Sequence, residues 1–368
     1  MSLAIYRKYR PKTFEDLLGQ EHIVEILRNA ARQEKFSHAY LFYGPRGSGK
    51  TTTARLLAKL INCAIRQTNK PFKDKGEPCN TCTACTEIDA GRALDVIEID
   101  AASNRGIDEI RNLKEGIKLA PTALRAKVFI IDEMHMLTRE AFNALLKTLE
   151  EPPSHAFFIL ATTEYEKVPA TISSRTQRFH FKKLALPDIL NKLTMIVKNE
   201  NFKIAADALE LIAALGEGSV RDAESLLDQI TTLDTDVTLE DVERIAGKIG
   251  YKKTAKLAQY LLENKLQDAL SYLSDIDRDG YNLVQLNKDL IHYLRRVLTL
   301  KTNPRIEELF MKECTKDELD HLKKHAALMQ DGHINLIKSL IRAYTEMRYS
   351  PFAVVPLEIA IIENLRQS

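Results

Sequence analysis

The chain of 368 residues contains no tryptophan and no apolar segment long enough to span a membrane. It also lacks excess charge: 53 Lys and Arg stand against 51 Asp and Glu, so the formal net charge is +2. This balance does not indicate a general polyanion-binding surface, and any nucleic-acid contact must use local patches and helix N-termini. The N-terminal residues are basic but have no apolar stretch behind them, so we expect no secretory signal and a cytoplasmic protein.

Cysteine is scarce, with five residues in the chain, but four of them lie in one short segment. Cys63 is followed by a polar, basic stretch and then by Cys79, Cys82 and Cys85 in a C-x-x-C-x-x-C pattern. Disulfides are disfavoured in the reducing compartment that we expect, and four thiolates so spaced favour a closed, structural Zn²⁺ site. An iron–sulfur cluster and four unrelated reduced thiols are the alternatives. Cys314 stands alone in a helical region, which predicts a buried or inert side chain.

A glycine-rich stretch from Gly44 to Thr51 reads G-x-x-x-x-G-K-T, the phosphate-binding loop of nucleoside triphosphatases. An apolar segment of strand length (residues 39–43) precedes it, and residues 52–61 have helical periodicity. Glycines allow backbone N–H groups to surround an anion, Lys50 can reach the β- and γ-phosphates, and the Thr51 hydroxyl can bind Mg²⁺. The predicted nucleotide-binding residues of this stretch are Gly44, Pro45, Arg46, Gly47, Ser48, Gly49, Lys50, Thr51 and Thr52.

Polar side chains at the ends of two further apolar segments complete this chemistry. One segment ends in Asp132 and Glu133. We predict that Asp132 holds Mg²⁺ and that Glu133 polarises the attacking water. The other segment ends in Thr162 and Thr163. We predict that Thr163, with Thr162 as the alternative, senses the γ-phosphate or fixes the attacking water.

The order of these segments predicts the fold class. Strand and helix patterns alternate up to about residue 183, which is typical of an α/β parallel sheet with flanking helices and a phosphate-binding loop at the carboxyl ends of its strands. Beyond this point helical patterns dominate, including one predicted helix over residues 254–273. We therefore predict three domains: a nucleotide-binding domain (1–183) with a zinc module at about 63–85, a small helical lid (184–246), and an all-α bundle for association (247–368).

Together these motifs resemble the ATPase subunits of bacterial DNA-polymerase clamp loaders, the gamma/tau group of the AAA+ class. The resemblance is strong through about residue 246 and mainly architectural beyond it. It implies an ATP- and Mg²⁺-dependent motor that opens a ring-shaped sliding clamp and loads it on primer–template DNA. It rests on residues 8–11, 18–22 and 44–51, on the four clustered cysteines, and on residues 100–106, 132–135, 143–152, 161–163, 174–175 and 218–222.

Several residue roles come from this resemblance alone. Arg175 is expected to be an arginine finger that acts in trans on ATP held by a neighbouring subunit, although the family's Ser-Arg-Cys pattern reads Ser-Arg-Thr here. Arg221 is expected to be a second sensor that ties the lid to ATP in its own subunit. Helix starts near Arg105 and Arg139 resemble elements that follow the phosphates of the DNA template.

The residues before the first predicted helix form an N-terminal arm that includes Tyr9, Arg10 and Pro11. We expect this arm either to pack beside the nucleotide base or to serve only for packing. The resemblance implies a role for the other end of the chain. The C-terminal bundle resembles the collar through which such subunits form a pentamer. The expected partners are delta- and delta-prime-like subunits, further copies of this chain, the sliding clamp and DNA.

Two other functions fit parts of the pattern. Residues 132–135 read Asp-Glu-Met-His and match the DExH box of helicases, which would indicate a nucleic-acid translocase. Those enzymes usually need a second α/β motor domain, and residues 184–368 lack the strand pattern for one. A non-enzymatic scaffold is the third hypothesis, and the intact Lys50, Thr51 and paired carboxylates argue against it.

Overall fold

A computed structural model of the protein describes residues 3–103, 115–233, 236–246, 251–311, 314 and 316–366. The chain divides into two compact units, Met1–Leu184 with Gly218–Asp222 and Ala185–Glu217 with Ala223–Ser368. In the part of the chain that the structure describes, no helix is both long and apolar enough to cross a membrane.

One parallel sheet of five strands forms the centre of the first unit, which confirms the predicted α/β class. The strands are β1 (Ala39–Tyr43), β2 (Val96–Asp100), β3 (Lys127–Asp132), β4 (Ala156–Thr162) and β5 (Gln177–His180). Their order in the sheet is β2-β3-β4-β1-β5. Side chains of the central strands are almost all buried, whereas the two edge strands are partly exposed, as expected for a sheet covered on both faces.

Helices cover both faces of this sheet because successive side chains of a strand point to opposite sides. On one face Phe129 belongs to a core cluster with Leu145 of the helix Arg139–Glu150. On the other face Phe42 and Ile130 belong to a cluster with Leu57 of the helix Lys50–Asn62. The helices of the first unit are α1 (Ile5–Lys8), α2 (Glu21–Gln33), α3 (Lys50–Asn62), α4 (Ala64–Thr68), α5 (Lys70–Lys73), α6 (Thr83–Asp89), α7 (Arg139–Glu150) and α8 (Ala170–Ser173).

Helices make up nearly all of the second unit, and one isolated β-bridge joins Ile204 and Val237. The long helix Leu283–Thr302 packs against the helices Tyr251–Leu262, Lys316–Leu328 and His333–Met347, and its apolar side chains belong to one large core cluster. The helices are α9 (Leu186–Glu200), α10 (Ala206–Leu215), α11 (Val220–Ile230, which begins in the first unit), α12 (Leu239–Ala246), α13 (Tyr251–Leu262), α14 (Leu266–Arg278), α15 (Leu283–Thr302), α16 (Glu307–Phe310), α17 (Lys316–Leu328), α18 (His333–Met347) and α19 (Val354–Leu365).

The single helix predicted over residues 254–273 is wrong. The chain instead forms two helices, α13 and α14, that pack against each other. Asn264 between them has φ of 57°, in the left-handed region that asparagine tolerates better than most residues. The break lets apolar side chains of both helices, such as Leu261 and Leu273, enter the same core cluster.

Candidate nucleotide-binding site

The phosphate-binding loop connects β1 to α3, as predicted, and two of its glycines have no room for a side chain. Gly44 follows β1 and its N–H donates to the Thr162 carbonyl at 3.3 Å. Its φ is 143°, and a Cβ there would lie 2.3 Å from the Phe181 carbonyl oxygen. Gly47 has φ of 71°, and a Cβ there would lie 1.8 Å from the Ser219 Oγ. The loop therefore depends on glycine at both positions, and it ends at the N-terminus of α3, where the helix dipole favours an anion.

Lys50 is buried at the first position of α3, and its ammonium group faces the loop. Its Nζ donates to the carbonyls of Gly44 at 2.8 Å and Pro45 at 2.7 Å. Burial lowers the pKa of Lys50, whereas the nearby carboxylates of Glu133 and Asp132 act in the opposite direction. The loop thus surrounds a positive charge, which fits a site for phosphate groups.

Thr51 and Asp132 meet at the carboxyl edge of the sheet. The Thr51 hydroxyl donates to Asp132 Oδ2 at 2.7 Å, and the backbone N–H of Glu133 donates to Asp132 Oδ1 at 3.0 Å. A hydroxyl and a carboxylate next to a phosphate-binding loop form a hard oxygen donor set that suits Mg²⁺. Thr51 and Asp132 are therefore suitable ligands for the Mg²⁺ ion that accompanies nucleoside triphosphates.

Glu133 directly follows β3 and has an unusual backbone conformation. Its φ of 47° and ψ of 43° lie in the left-handed region, which is unfavourable for a residue with a side chain. The Thr163 hydroxyl donates to Glu133 Oε2 at 2.9 Å, and the Thr163 N–H lies 3.3 Å from the same oxygen. The carboxylate is therefore held in one direction by the end of β4.

The structure separates the two threonines that the sequence left as alternatives. Thr162 is fully buried, and its Oγ1 lies 3.0 Å from His135 Nδ1 and accepts the N–H of Glu164 at 3.1 Å. Thr163 instead bonds to Glu133. Of the two hydroxyls, that of Thr163 is the one joined to the predicted catalytic carboxylate.

His135 and Gln20 are two residues of this site to which the sequence assigned no role. His135 Nδ1 lies 3.4 Å from Glu133 Oε2, and its Nε2 lies 3.2 Å from Glu164 Oε1, so the ring connects the two carboxylates. The fully buried Gln20 amide donates to the Lys182 carbonyl at 2.8 Å and reaches the Ser48 carbonyl at 3.4 Å. Both residues lie inside stretches that carry the family resemblance, which was the signal available to find them.

The N-terminal arm runs beside α3. Arg10 is half-buried, and this burial lowers its pKa; the neighbouring Arg55 lowers it further, whereas Glu98 acts in the opposite direction. The Arg221 guanidinium lies 5.1 Å from the centre of the Tyr6 ring and adds to the positive charge around Arg10. The other predicted residues of this region are Tyr9 at the end of α1, Pro11, which is half-buried, Thr52 in the first turn of α3, and Arg46, whose guanidinium lies 3.6 Å from Asp222.

Arg175 follows Ser174, the residue that caps the C-terminus of α8, and its side chain contacts residues of the same chain. Its guanidinium forms an ion pair with Glu150 at 2.5 Å and donates to the Thr171 carbonyl at 2.7 Å. Arg139 is exposed at the first position of α7. Arg105, the other predicted DNA contact, lies outside the described residues.

The four clustered cysteines converge as predicted. The Sγ atoms of Cys63, Cys79, Cys82 and Cys85 all lie within 4.8 Å of one another. The N–H groups of Thr81 and Cys82 donate to Cys79 Sγ at 3.4 and 3.3 Å, which bends the loop around that sulfur. Zinc–sulfur bonds of about 2.3 Å in a tetrahedron place the sulfurs about 3.8 Å apart, so the cluster is compatible with zinc. Cys314 is buried in the second unit, as expected.

Three family models match consecutive parts of the chain. They describe the DNA polymerase III delta subunit (residues 19–185), the ATPase lid domain of DNA polymerase III clamp-loader subunits (188–232), and domain III of DNA polymerase III subunits gamma and tau (237–367). DNA polymerase III subunit gamma from Buchnera aphidicola subsp. Schizaphis graminum is 37% identical over 364 residues, covering 98% of this chain and 97% of that protein.

This chain belongs to the DNA polymerase III gamma/tau family. Subunit tau from Bacillus subtilis is 43% identical over 366 residues, which cover 99% of this chain and 63% of that protein. Subunit tau from Escherichia coli is 40% identical over 299 residues, which cover 81% of this chain and 45% of that protein. The chain therefore spans less than two thirds of these two tau relatives.

The family assignment confirms the predicted AAA+ ATPase class, with its lid domain and helical C-terminal region. Among solved structures, the Thermotoga maritima RuvB Holliday junction branch migration motor has a TM-score of 0.47 at 18% identity, covering 74% of this chain and 89% of that chain. The Bacillus subtilis DNA clamp loader delta protein has a TM-score of 0.43 at 15% identity, covering 93% of this chain and 99% of that chain.

Proposed function

We propose that this gamma/tau chain is an ATP-driven motor subunit of a replicative clamp loader, and that it hydrolyses ATP to load a sliding clamp on primed DNA. The observation that carries the proposal is the meeting of Lys50, Thr51, Asp132, Glu133 and Thr163 at one edge of the sheet. These groups come from α3 and from the ends of β3 and β4, and together they supply the parts that phosphoryl transfer needs.

Each of these residues has a distinct role in the proposed reaction. The loop from Gly44 to Thr51, with Thr52, surrounds the phosphates, and Lys50 neutralises charge on the β- and γ-phosphates. Thr51 and Asp132 would hold Mg²⁺, and the bound metal would neutralise charge that develops on the phosphates. Glu133 orients the attacking water and draws its proton as the oxygen attacks the γ-phosphorus and the bond to ADP breaks. Most of the catalysis then comes from positioning and electrostatics.

Residues outside the loop would complete the nucleotide site. Tyr9, Arg10 and Pro11 contribute to the side that faces the base, and Arg221 reports on the nucleotide from the start of α11. The closeness of Arg221 to the arm at Tyr6 supports this grouping. We also propose that the four clustered cysteines hold a structural Zn²⁺, which would cross-link the segment between α3 and α6.

The proposed assembly is a pentamer with delta- and delta-prime-like subunits, and it acts on the sliding clamp and primer–template DNA. Residues 1–183 form the motor, 184–246 the lid and 247–368 the collar. Arg175 supplies a positive charge to ATP in the neighbouring subunit, and Arg105 and Arg139 contact template phosphates. The Arg175 side chain remains one third exposed in its ion pair with Glu150, so a neighbouring subunit can reach it.

The deciding experiment measures ATP hydrolysis by this chain assembled with companion subunits and clamp, with and without primer–template DNA. We expect strong stimulation that needs the clamp and the primed junction together. Lys50→Ala should abolish nucleotide binding or hydrolysis, whereas Arg175→Ala should retain binding and lose hydrolysis in the assembly.

Other outcomes would reject parts of the proposal. Stimulation by single-stranded DNA alone, without clamp or companions, would favour a translocase. Full hydrolysis by the Arg175→Ala assembly would remove the role in trans.

A further inference from the structure

Lys59 and Glu77 are two of the buried charged side chains that have no part in the proposed reaction. Lys59 lies in the third turn of α3 and is 1% exposed, and Glu77 lies just before the cysteine loop and is 8% exposed. Burying a charge is unfavourable unless it is paired and hydrogen-bonded, so the partners of these two groups indicate what they hold together.

Lys59 joins three separate segments. Its Nζ donates to the Lys12 carbonyl at 3.1 Å and to Asn80 Oδ1 at 2.7 Å, and it pairs with Asp89 Oδ1 at 2.9 Å. Lys12 belongs to the N-terminal arm, Asn80 lies between two of the clustered cysteines, and Asp89 ends α6. An ammonium group has three donors, and all three are used here.

Glu77 makes a second connection between the same two regions. Its Oε2 accepts the N–H of Phe14 at 2.8 Å, and its Oε1 lies 3.1 Å from Arg28 Nε on α2. Burial raises the pKa of Glu77, and the Phe14 N–H and Arg28 act in the opposite direction. The adjacent Gly76 packs so closely on α2 that a Cβ would lie 2.9 Å from the Arg28 carbonyl oxygen.

The arm that these two residues hold leads to the nucleotide site at both ends. On one side it continues directly into Tyr9, Arg10 and Pro11. On the other side Leu17 Cδ2 lies 3.6 Å from the Cβ position of Gly49, in the phosphate-binding loop. The attachment points, Lys12 and Phe14, lie between these two contacts.

We propose that Lys59 and Glu77 are positioning residues through which the cysteine module holds the N-terminal arm against α3, so that metal in the module raises nucleotide affinity. The inference rests on the proposed function, because it needs ATP to bind beside this arm. Since Asn80 lies between Cys79 and Cys82, loss of the metal would free a partner of Lys59 and loosen the arm. The linkage is reciprocal, so bound nucleotide also favours retention of the metal.

The test compares Lys59→Met and Glu77→Gln with a matched control, Lys73→Met. Lys73 lies in the same cysteine-bearing segment but pairs with Glu34 instead of the arm. Three quantities are measured on the full chain: the Kd for a fluorescent ATP analogue, the zinc content, and the rate of tryptic cleavage after Lys12. Both test variants should weaken nucleotide binding roughly tenfold, a change in the range typical of coupled sites. They should also be cleaved faster after Lys12, and they should keep their zinc. Zinc-depleted wild-type chain should behave in the same way, and Lys73→Met should match wild type.

Each alternative result is decisive. Unchanged Kd in Glu77→Gln and in zinc-depleted chain would overturn the linkage, even if Lys59→Met failed to fold. Unchanged cleavage after Lys12 in both would show that the module does not hold the arm. If the Lys50→Ala chain kept both the wild-type nucleotide affinity and the wild-type hydrolysis rate, the proposed function itself would be rejected, because the nucleotide would then lie elsewhere.

Discussion

At the scale of single residues, Glu133 is the most constrained group of the candidate site. Its left-handed backbone costs about 1–2 kcal/mol relative to a right-handed one, yet Thr163 and His135 both direct its carboxylate. Strain of this kind persists where the surrounding structure imposes it, and it is common at functional sites. The conformation therefore supports the proposed role of Glu133 in orienting water.

A prediction for Thr163 follows from this contact. Thr163→Val keeps the shape of the side chain but removes the hydroxyl that donates to Glu133. We expect ATP binding to be retained and hydrolysis to fall by roughly tenfold to a hundredfold, less than or equal to the loss in Glu133→Gln, because positioned acid–base groups contribute about 10²–10⁴. Binding and single-turnover hydrolysis are measured separately in the assembled loader.

The matched control for this prediction is Thr194→Val, which removes an exposed hydroxyl on α9. This variant should hydrolyse ATP at the wild-type rate. Equal rates for Thr163→Val and wild type would contradict the assignment of Thr163.

At the scale of elements, the helices of the second unit bury a histidine in uncharged form. His325 on α17 is 3% exposed, and its Nδ1 lies 2.8 Å from the Tyr293 hydroxyl on α15. Burial lowers the pKa of His325 to about 4; His321 and Lys324 also lower it, and Glu263 acts in the opposite direction. Packing between α15 and α17 is therefore linked to the neutral ring.

This linkage predicts how stability changes with pH. The unfolded chain binds the His325 proton near pH 6.5, and the folded chain does so only near pH 4. The stabilisation is therefore fully present above pH 6.5 and is lost as pH falls toward 4, by up to about 3 kcal/mol. Urea unfolding between pH 7.5 and 5, followed in the second unit, should show this loss.

His325→Gln should have a smaller pH dependence than wild type over the same range, since it cannot bind the proton. His321→Gln, which changes a more exposed ring on the same helix, should keep most of the wild-type slope. Identical slopes for wild type and His325→Gln would refute the linkage.

Element boundaries show how far local patterns reach. The strand predicted over residues 39–43 coincides with β1, and the helical segment predicted over residues 52–61 lies within α3, because strand and helix periodicity are local properties. The break at Asn264 was missed because both flanking segments have helical periodicity and asparagine does not by itself end a helix. The break forms because it allows the apolar faces of both α13 and α14 to be buried in one core.

At the scale of the whole molecule, the proposed arginine finger makes a prediction about mixed assemblies. Lys50→Ala subunits lack a working nucleotide site but keep Arg175, and Arg175→Ala subunits have the opposite defect. If Arg175 acts in trans, mixing the two inactive chains should restore part of the hydrolysis, because one chain lends its finger to the other's ATP. Steady-state hydrolysis of loaders assembled from defined ratios measures this.

The control for the mixing experiment is a chain that carries both substitutions. When this chain is mixed with either single variant, the hydrolysis rate should not rise above that of the single variant alone. Failure of the two single variants to complement each other would indicate that Arg175 acts within its own subunit.

The sequence alone determined the phosphate-binding loop, the paired carboxylates and the cysteine cluster, because each depends on residue types at short, fixed spacing. It also determined the alternation of strands and helices. Only the tertiary structure decided the strand order, the choice of Thr163 over Thr162 beside Glu133, and the contacts of Lys59 with the arm and the cysteine loop. These features join segments that are far apart in the chain. They depend on long-range packing and on the pairing of buried charges, and the local spacing of residue types does not encode either.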